Sequence, residues 1–527
     1  MHLLNRRRFL AAAAPMAFTL RAMCPAPAHA AAAHDRYGPP QPFDLDWLTQ
    51  QAFALAKKAY APVKPPAAAI VGHIDYDVVQ KIKFRGDRAL WADGNHQFPV
   101  RLFHLDKFNP LPVRINLIDG DTARQVLYSS EDFDYDSTDL QSKLPADLGF
   151  SGFRVMNGQN VETDWLAFQG ASYFRSAGQQ NQYGVSARGI AVNTALSTKE
   201  EFPRFVEFWL AQPQASSITI YALLDGPSLT GAYQVTASKA TGVITEVKAK
   251  LFMRNDIARL GIAPMTSMYW FGQNEHPCSS DWRPQIHDSD GLALWTGGGE
   301  RIWRPLIDPP SVITNSYVDQ NPKGFGLLQR DRDFTDYQDD SAFYNRRPSI
   351  WVEPLGLWEA GAVQLAEIPT DDEIHDNIVA FWNPKRQIKG GDHLEINYRL
   401  YWQDNCPFPA TDIGSVIATR LGRGGVPGQP SPNDKEKHKF VVDFAGGPLA
   451  QMAPRYDVQP VVTVSRGTVT DAYVIKVVGT ENWRALFDLA TPGNDPVELR
   501  CFLRLNGKAL TETWQYQFYP MKGQCCP

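Results

Sequence analysis

Val243-Ile244-Thr245-Glu246-Val247-Lys248-Ala249-Lys250-Leu251-Phe252-Met253 is the stretch that decides the fold class. Val243, Val247, Ala249, Leu251 and Met253 fall on one side of an extended chain, and Glu246, Lys248 and Lys250 on the other. Successive side chains of a strand point to opposite faces, so this period of two predicts a strand with one face in a core and the other in water. Residues 112–118, 124–129 and 217–224 have similar alternating or β-branched character, with turn residues between them. Helix signals are few. Asp44 can cap an amphipathic stretch running through Trp47, Leu48, Phe53, Leu55 and Tyr60. Thr198 and Glu201 have the spacing of a capping box ahead of Phe205, Phe208 and Trp209, with Pro203 near the first turn, which predicts a second helix. There is no internal repeat and no strand–helix–strand rhythm. The chain reads as mainly β.

Composition changes near residue 403. Tyr398-Arg399-Leu400-Tyr401-Trp402 looks like a closing strand and Cys406-Pro407-Phe408-Pro409 like a linker. The expected organisation is a β-sandwich over 31–403, a linker over 404–415 and a smaller immunoglobulin-like sandwich over 416–527. In the last unit, short strands at 439–444, 461–465, 473–478, 497–505 and 511–518 are separated by turns. Residues 421–438, rich in Gly, Pro, Lys and Asp, read as a long loop, and a loop of that length is either functional or disordered.

With 527 residues, two domains are expected, and 43% hydrophobic against 21% charged residues supplies a sizeable core. A net charge of −5 argues against a nucleic-acid binder. At the N-terminus, Asn5-Arg6-Arg7-Arg8-Phe9-Leu10 is a twin-arginine pattern, 11–20 is a modest apolar run, and Ala28-His29-Ala30 offers a small-x-small cleavage site. Residues 1–30 are therefore expected to be an export signal, and the mature protein soluble in an extracytoplasmic compartment. Beyond it Cys278, Cys406, Cys501, Cys525 and Cys526 form neither a disulfide framework nor a zinc cluster.

The densest mixture of Trp, Tyr, Asp, Arg and Gly lies in 264–384. It includes Met268-Tyr269-Trp270-Phe271-Gly272, Arg283-Pro284-Gln285-Ile286-His287-Asp288-Ser289-Asp290-Gly291, Trp303-Arg304-Pro305, Phe343-Tyr344 with Arg346-Arg347-Pro348, Trp351-Val352-Glu353-Pro354 and Asp376-Asn377-Ile378-Val379-Ala380-Phe381-Trp382. Polar residues spaced among apolar ones in this way fit strand ends and loops around a cleft. An aromatic ring can stack on the apolar face of a sugar, though sheet cores would account for most of the 14 tryptophans. Cleaving a glycosidic bond needs two carboxyl groups, one to protonate the leaving oxygen and one to activate water or attack. Asp281, Asp288, Asp290, Asp339, Asp340, Glu353, Glu367 and Asp376 are all candidates, and spacing does not choose among them. Asp288-Ser289-Asp290-Gly291 lacks the further ligands of a calcium loop, and neither a metal nor a cofactor is expected.

These blocks, with Tyr173-Phe174-Arg175, the run Tyr183 to Gly189 and the closing Leu510-Thr511-Glu512-Thr513-Trp514, resemble the periplasmic (osmoregulated) glucan biosynthesis protein G/D family over essentially the whole mature chain. The twin-arginine signal resembles that of the D members. The resemblance implies a large sandwich of the galactose-mutarotase type (a supersandwich) followed by an immunoglobulin-like domain, and an endo-acting, anomer-inverting hydrolase of β-1,2-glucan. A transglycosylase and a non-catalytic scaffold are the alternatives. It implies Asp376 as general acid, Asp288 as general base with Asp290 as its competitor, and Tyr344 in the path by which a proton leaves the attacking water. Tyr269, Trp270, Arg283, His287, Asp290, Trp303, Arg346, Arg347, Trp351, Glu353 and Trp382 are the expected substrate contacts. The partners expected are a β-1,2-glucan, a membrane glucosyltransferase by functional link, and a second copy of the chain.

Overall fold

The computed structural model describes residues 36–94, 97–136, 139–159, 161–275, 281–425, 428 and 437–520. The signal expected at 1–30, and Cys278, Cys525 and Cys526, lie outside these residues. Val243–Met253 is a strand with buried side chains at every odd position from Val243 to Met253. It pairs antiparallel with Leu229–Lys239 on one side and His393–Gln403 on the other, and Val247 stands opposite Val235 and Tyr398, all three buried. It is the centre of a sheet of 16 strands, which faces a second sheet of 10 strands running from Val100–Phe103 to Ile313–Gln320. One continuous core lies between them, with Phe208, Ile220, Val247, Leu251 and Leu400 from the first sheet against Phe153, Phe168, Ile262, Leu365 and Trp382 from the second. Two sheets closing on one apolar layer make a β-sandwich, and the protein is mainly β.

The first expected helix is present as Leu45–Ala56, where Asp44 accepts a hydrogen bond from the Trp47 N–H at 2.6 Å. It ends before Tyr60 and packs on the outer face of the large sheet, burying Leu48 and Ala52. The second expected helix is not one. Arg204–Leu210 is a strand, parallel to Arg114–Asp119 and antiparallel to Ser217–Asp225. A bulge between Phe205 and Glu207 inserts one extra residue, so Phe205 and Phe208 both face the core despite a spacing of three. That spacing imitates a helix face. Glu201, which would have closed the capping box, instead accepts from the backbone and hydroxyl of Ser228.

Toward the C-terminus, Ser415–Arg423, Lys437–Ala445, Trp483–Ala490 and Thr468–Lys476 form a four-stranded sheet. Phe440, Phe444, Trp483 and Phe487 pack from it onto Leu499, Cys501, Trp514 and Phe518, whose strands belong to the 16-stranded sheet. Thr513–Phe518 runs parallel to Arg301–Pro305, so the large sheet continues into this smaller sandwich. The long loop expected over 421–438 is shorter than its composition suggested: Leu421 pairs with Phe440 and Arg423 with His438, while 426–427 and 429–436 lie outside the described residues.

Arg330 ties the two sandwiches together. Its guanidinium donates to Glu512 at 2.6 and 3.2 Å and to the Val416 carbonyl at 2.7 Å, and it lies 3.6 Å over the Trp303 ring. Glu512 also accepts from the Val416 N–H. Removing one partner of a largely buried pair strands the other charge. Glu512→Ala is therefore expected to destabilise the protein by about 3 kcal/mol in chemical denaturation, and a loss below about 0.5 kcal/mol would contradict this role.

Candidate active site

The loops at one end of the sandwich are held by a short hairpin, Tyr269–Phe271 paired with Ile286–His287. Asn377 anchors it. Its side chain accepts from the Tyr269 N–H at 2.8 Å and donates to the carbonyls of Tyr269 at 2.8 Å and Ile368 at 2.9 Å. Asp376 is thereby set beside the hairpin, at the entry to the strand Ile378–Pro384. On the other hairpin strand, His287 donates from Nδ1 to Gln329, and burial, with Arg347 adding to it, pushes its pKa down to about 3. It is a neutral spacer. The Gln329 amide donates in turn to the carbonyls of His287 and Tyr344, fixing the turn Tyr344–Arg346 against the hairpin.

Asp288 is fully buried and forms an ion pair with the equally buried Arg347. Arg347 also donates to the Ala342 carbonyl at 3.1 Å and lies 4.0 Å over the Tyr344 ring. The Tyr344 hydroxyl donates to Glu373. Glu373 accepts at 2.8 Å from Arg283, which also holds Asp339 at 2.8 Å and Asp281 at 2.8 Å. A connected cluster therefore runs from Asp288 through Arg347 and Tyr344 to Glu373, three residues before Asp376.

Asp376 is 9% exposed, so it is nearly buried at the edge of this cluster. Its charge acts on Tyr173, Arg175 and Arg347. Burial lowers the Arg175 pKa, and Asp376 is the first charge that opposes this. The electrostatic neighbours of Asp376 are cations and a phenol: Tyr173 and Arg175 from a strand of the same 10-stranded sheet, and Arg347 from the turn ahead of Ser349–Pro354 in the 16-stranded sheet.

Asp290 occupies a different cavity from Asp288, lined by His287, Gln285, Trp303, Asp331 and residues 416–419 of the second sandwich. Its Oδ2 accepts from the N–H groups of Arg330 and Asp331, both at 2.9 Å, while its buried Oδ1 has no hydrogen-bond partner among the described residues. Asp331 accepts from Gln273 and Gln285 at 3.1 Å. Burial pushes Asp290 up to about 6. Burial, reinforced by the charge of Asp290, pushes Asp331 up to about 7. Two such carboxyls titrate as a pair.

The remaining expected contacts divide clearly. Tyr269 is buried, stacked 5.5 Å from His287, and Trp270 packs beside Met268 and Phe271 next to the cluster. Arg283 and Arg347 belong to the cluster. Arg346 is exposed beside Phe343. Trp303, Trp351 and Trp382 are corrections: at 4%, 1% and 0% exposure they are packed inside, Trp303 beneath the Arg330 guanidinium at the wall of the Asp290 cavity and the other two in the layers between sheets, rather than presenting a face to a sugar. Glu353 is a fourth, bonded to Tyr401 at 2.6 Å and paired with Arg399 along the sheet, away from the cluster. Of the other carboxylates, Glu367 is locked to Arg304 at 3.0 Å. Glu373, Arg175 and Tyr173 were missed as site residues. Tyr173 and Arg175 stood in a motif already noticed, whereas Glu373 carried no signal beyond its nearness to Asp376.

A family model described as "Periplasmic glucan biosynthesis protein, MdoG" matches residues 43–518. The chain belongs to this family. It is 48% identical over 537 residues to glucans biosynthesis protein D 2 of Ralstonia nicotianae, covering 99% of each chain. It is 47% identical over 531 residues to glucans biosynthesis protein D of Xanthomonas campestris pv. campestris, covering 98% of each. A galactose mutarotase related enzyme from Lactobacillus acidophilus aligns with 49% of this chain and 91% of its own at 8% identity and a TM-score of 0.21, a likeness too slight to bear on the fold or the site. Membership places the protein in periplasmic glucan biosynthesis. No helix among the described residues is long and apolar enough to cross a membrane.

The Asp290–Asp331 pair makes stability depend on pH. Both pKa values are raised on folding, so the folded state holds protons that the unfolded chain has already released above about pH 4. The stabilisation is complete below that value and is lost as pH rises through about 6 to about 7. Asp331→Asn keeps an acceptor for the glutamines and removes one titration. Its melting temperature is expected to exceed the wild-type value by about 2 °C above pH 7.5, with a flatter profile between pH 4 and 7. A profile parallel to wild type would contradict the pairing.

Proposed function

We propose that the protein is an endo-acting β-1,2-glucan hydrolase that inverts the anomeric carbon, with Asp376 as general acid and Asp288 as general base. The observation that carries this reading is the chain of contacts Asp288–Arg347–Tyr344–Glu373, which brings the loop of one carboxylate to within three residues of the other. Arg347 sets a guanidinium directly against the Asp288 carboxyl and holds it in place. Asp376, nearly buried at the mouth of the same cluster, is the carboxyl left to meet the leaving oxygen. Tyr344 serves the water side. Its hydroxyl rests on Glu373, so a relay toward Asp288 requires it to turn from Glu373 or to pass the proton through solvent. Asp290 is less suited to the base role, because its carboxyl faces the second sandwich and burial favours its protonated form. The proposal extends to export by the twin-arginine route, on the Arg6-Arg7-Arg8-Phe9-Leu10 run, and to a functional link with a membrane glucosyltransferase.

Purified protein incubated with linear β-1,2-glucan is expected to release shorter oligosaccharides, read by product sizing and linkage analysis. Asp376→Asn keeps shape and removes the transferable proton, so turnover should fall about 10²-fold or more with the melting temperature retained. Asp288→Asn should fall comparably, and Asp290→Asn less. Turnover within a few-fold of wild type in Asp376→Asn would refute the acid assignment.

A further inference from the structure

A cleft with a volume of about 500 Å³ lies away from these carboxylates. The strand Gly291–Trp295 connects the two places. It begins next to Asp290 and ends at Trp295 in the cleft, and at ~3.3 Å per residue its four steps span about 13 Å. One wall is the 16-stranded sheet, extended by Glu498 and Gln515 from the second sandwich. The other wall is Ile313–Gln320, the edge strand of the 10-stranded sheet, paired on one side only, with Ala360–Glu367.

The floor is apolar and the rim polar. Leu294, Ile302 and Val363, all buried, are core residues where the two sheets part. Trp295 stands over them, its plane held by the Arg301 guanidinium 3.6 Å away and by Phe408 at a centroid distance of 6.1 Å. The rim carboxylates are already oriented. Asp319 accepts from the N–H groups of Gly297 at 2.9 Å and Gln320 at 2.8 Å, Glu498 from Gln517 at 2.5 Å, and Glu300 from Thr513 at 2.7 Å. Each keeps lone pairs for further donors. The Gln515 amide makes no hydrogen bond among the described residues. Burial pushes the Tyr317 phenol up to about 12, so it stays a neutral donor.

Fixed carboxylate and amide acceptors around an apolar floor with an indole wall suit a molecule that carries many hydroxyl donors and an apolar C–H face. Three rim carboxylates oppose an anion. The nearby cations are engaged, Arg301 and Lys323 with Trp295 and Arg500 with Glu300. We propose that this cleft is a second, non-catalytic binding site for a neutral oligosaccharide, holding one stretch of a glucan chain while another reaches the carboxylates. The choice of glucan rests on the function proposed above. A second attachment raises the effective concentration of the polymer at the first site without adding a contact there.

Two variants test it. Trp295→Ala removes the aromatic wall, and Ser316→Trp, at an exposed position of the edge strand, fills the mouth without touching the core. Each is expected to raise KM for long linear β-1,2-glucan about 10-fold at unchanged kcat, and to leave KM for the shortest cleaved oligosaccharide as in wild type. In an Asp376→Asn background, both should abolish the quenching of tryptophan fluorescence that long glucan produces at this cleft. Equal KM values for long glucan in wild type and both variants, with quenching retained in Ser316→Trp, would overturn the site. Protein that bound glucan through the cleft yet released no product would refute the hydrolase reading and leave this site standing.

Discussion

Arg347 and Asp288 form an ion pair with 3% and 0% side-chain exposure, and the geometry of the candidate site depends on it. Removing two charges from water costs several kcal/mol per ion unless the remaining donors and acceptors are satisfied. Here the Ala342 carbonyl takes further guanidinium protons, and Tyr344 offers the face of its ring. Those groups lie in the same short run as Arg347. Satisfying the guanidinium therefore folds the run from Ala342 to Pro348 into one shape, with Phe343 in the left-handed region. Gln329 then fastens that shape to the hairpin bearing His287 and Asp288.

The second sandwich is joined to this end rather than appended to it. Arg330 follows Gln329 directly, so the residue that binds Glu512 and Val416 is covalently next to the one that holds Tyr344 and His287. The Asp290–Asp331 cavity lies at the same junction, walled by both sandwiches. Protonation there and the position of the hairpin share Gln285 and His287, which line the cavity and belong to or adjoin the hairpin.

Much of the fold was legible because burial imposes the strand period directly. Val243–Met253 and Val497–Leu505 have the bounds that their alternation predicts, and the capped first helix begins where Asp44 places it. Arg204–Leu210 was misread because a bulge changes the parity of a strand, and a one-residue insertion has no compositional mark. Tryptophans were ambiguous for a different reason: the same ring fills a core or walls a sugar site. Trp303, Trp351 and Trp382 proved to be packed inside, while Trp295, unremarked in the sequence, lines the open cleft. Motif resemblance singled out Asp288, Tyr344 and Asp376, but no linear pattern could reveal that Arg347 pairs with the first or that Glu373 accepts from the second.

The central claim is a single displacement in which Asp376 protonates the leaving oxygen and a water activated through Asp288 attacks from the opposite face. Such a mechanism keeps its carboxyls roughly 6.5–9.5 Å apart, whereas a double displacement needs about 5–5.5 Å. The direct measurement is the anomeric form of the new reducing end, followed by proton NMR in the first minutes of linear β-1,2-glucan cleavage, before mutarotation. The account predicts the α anomer. Initial β product, or a trapped glycosyl ester on an aspartate, would contradict it.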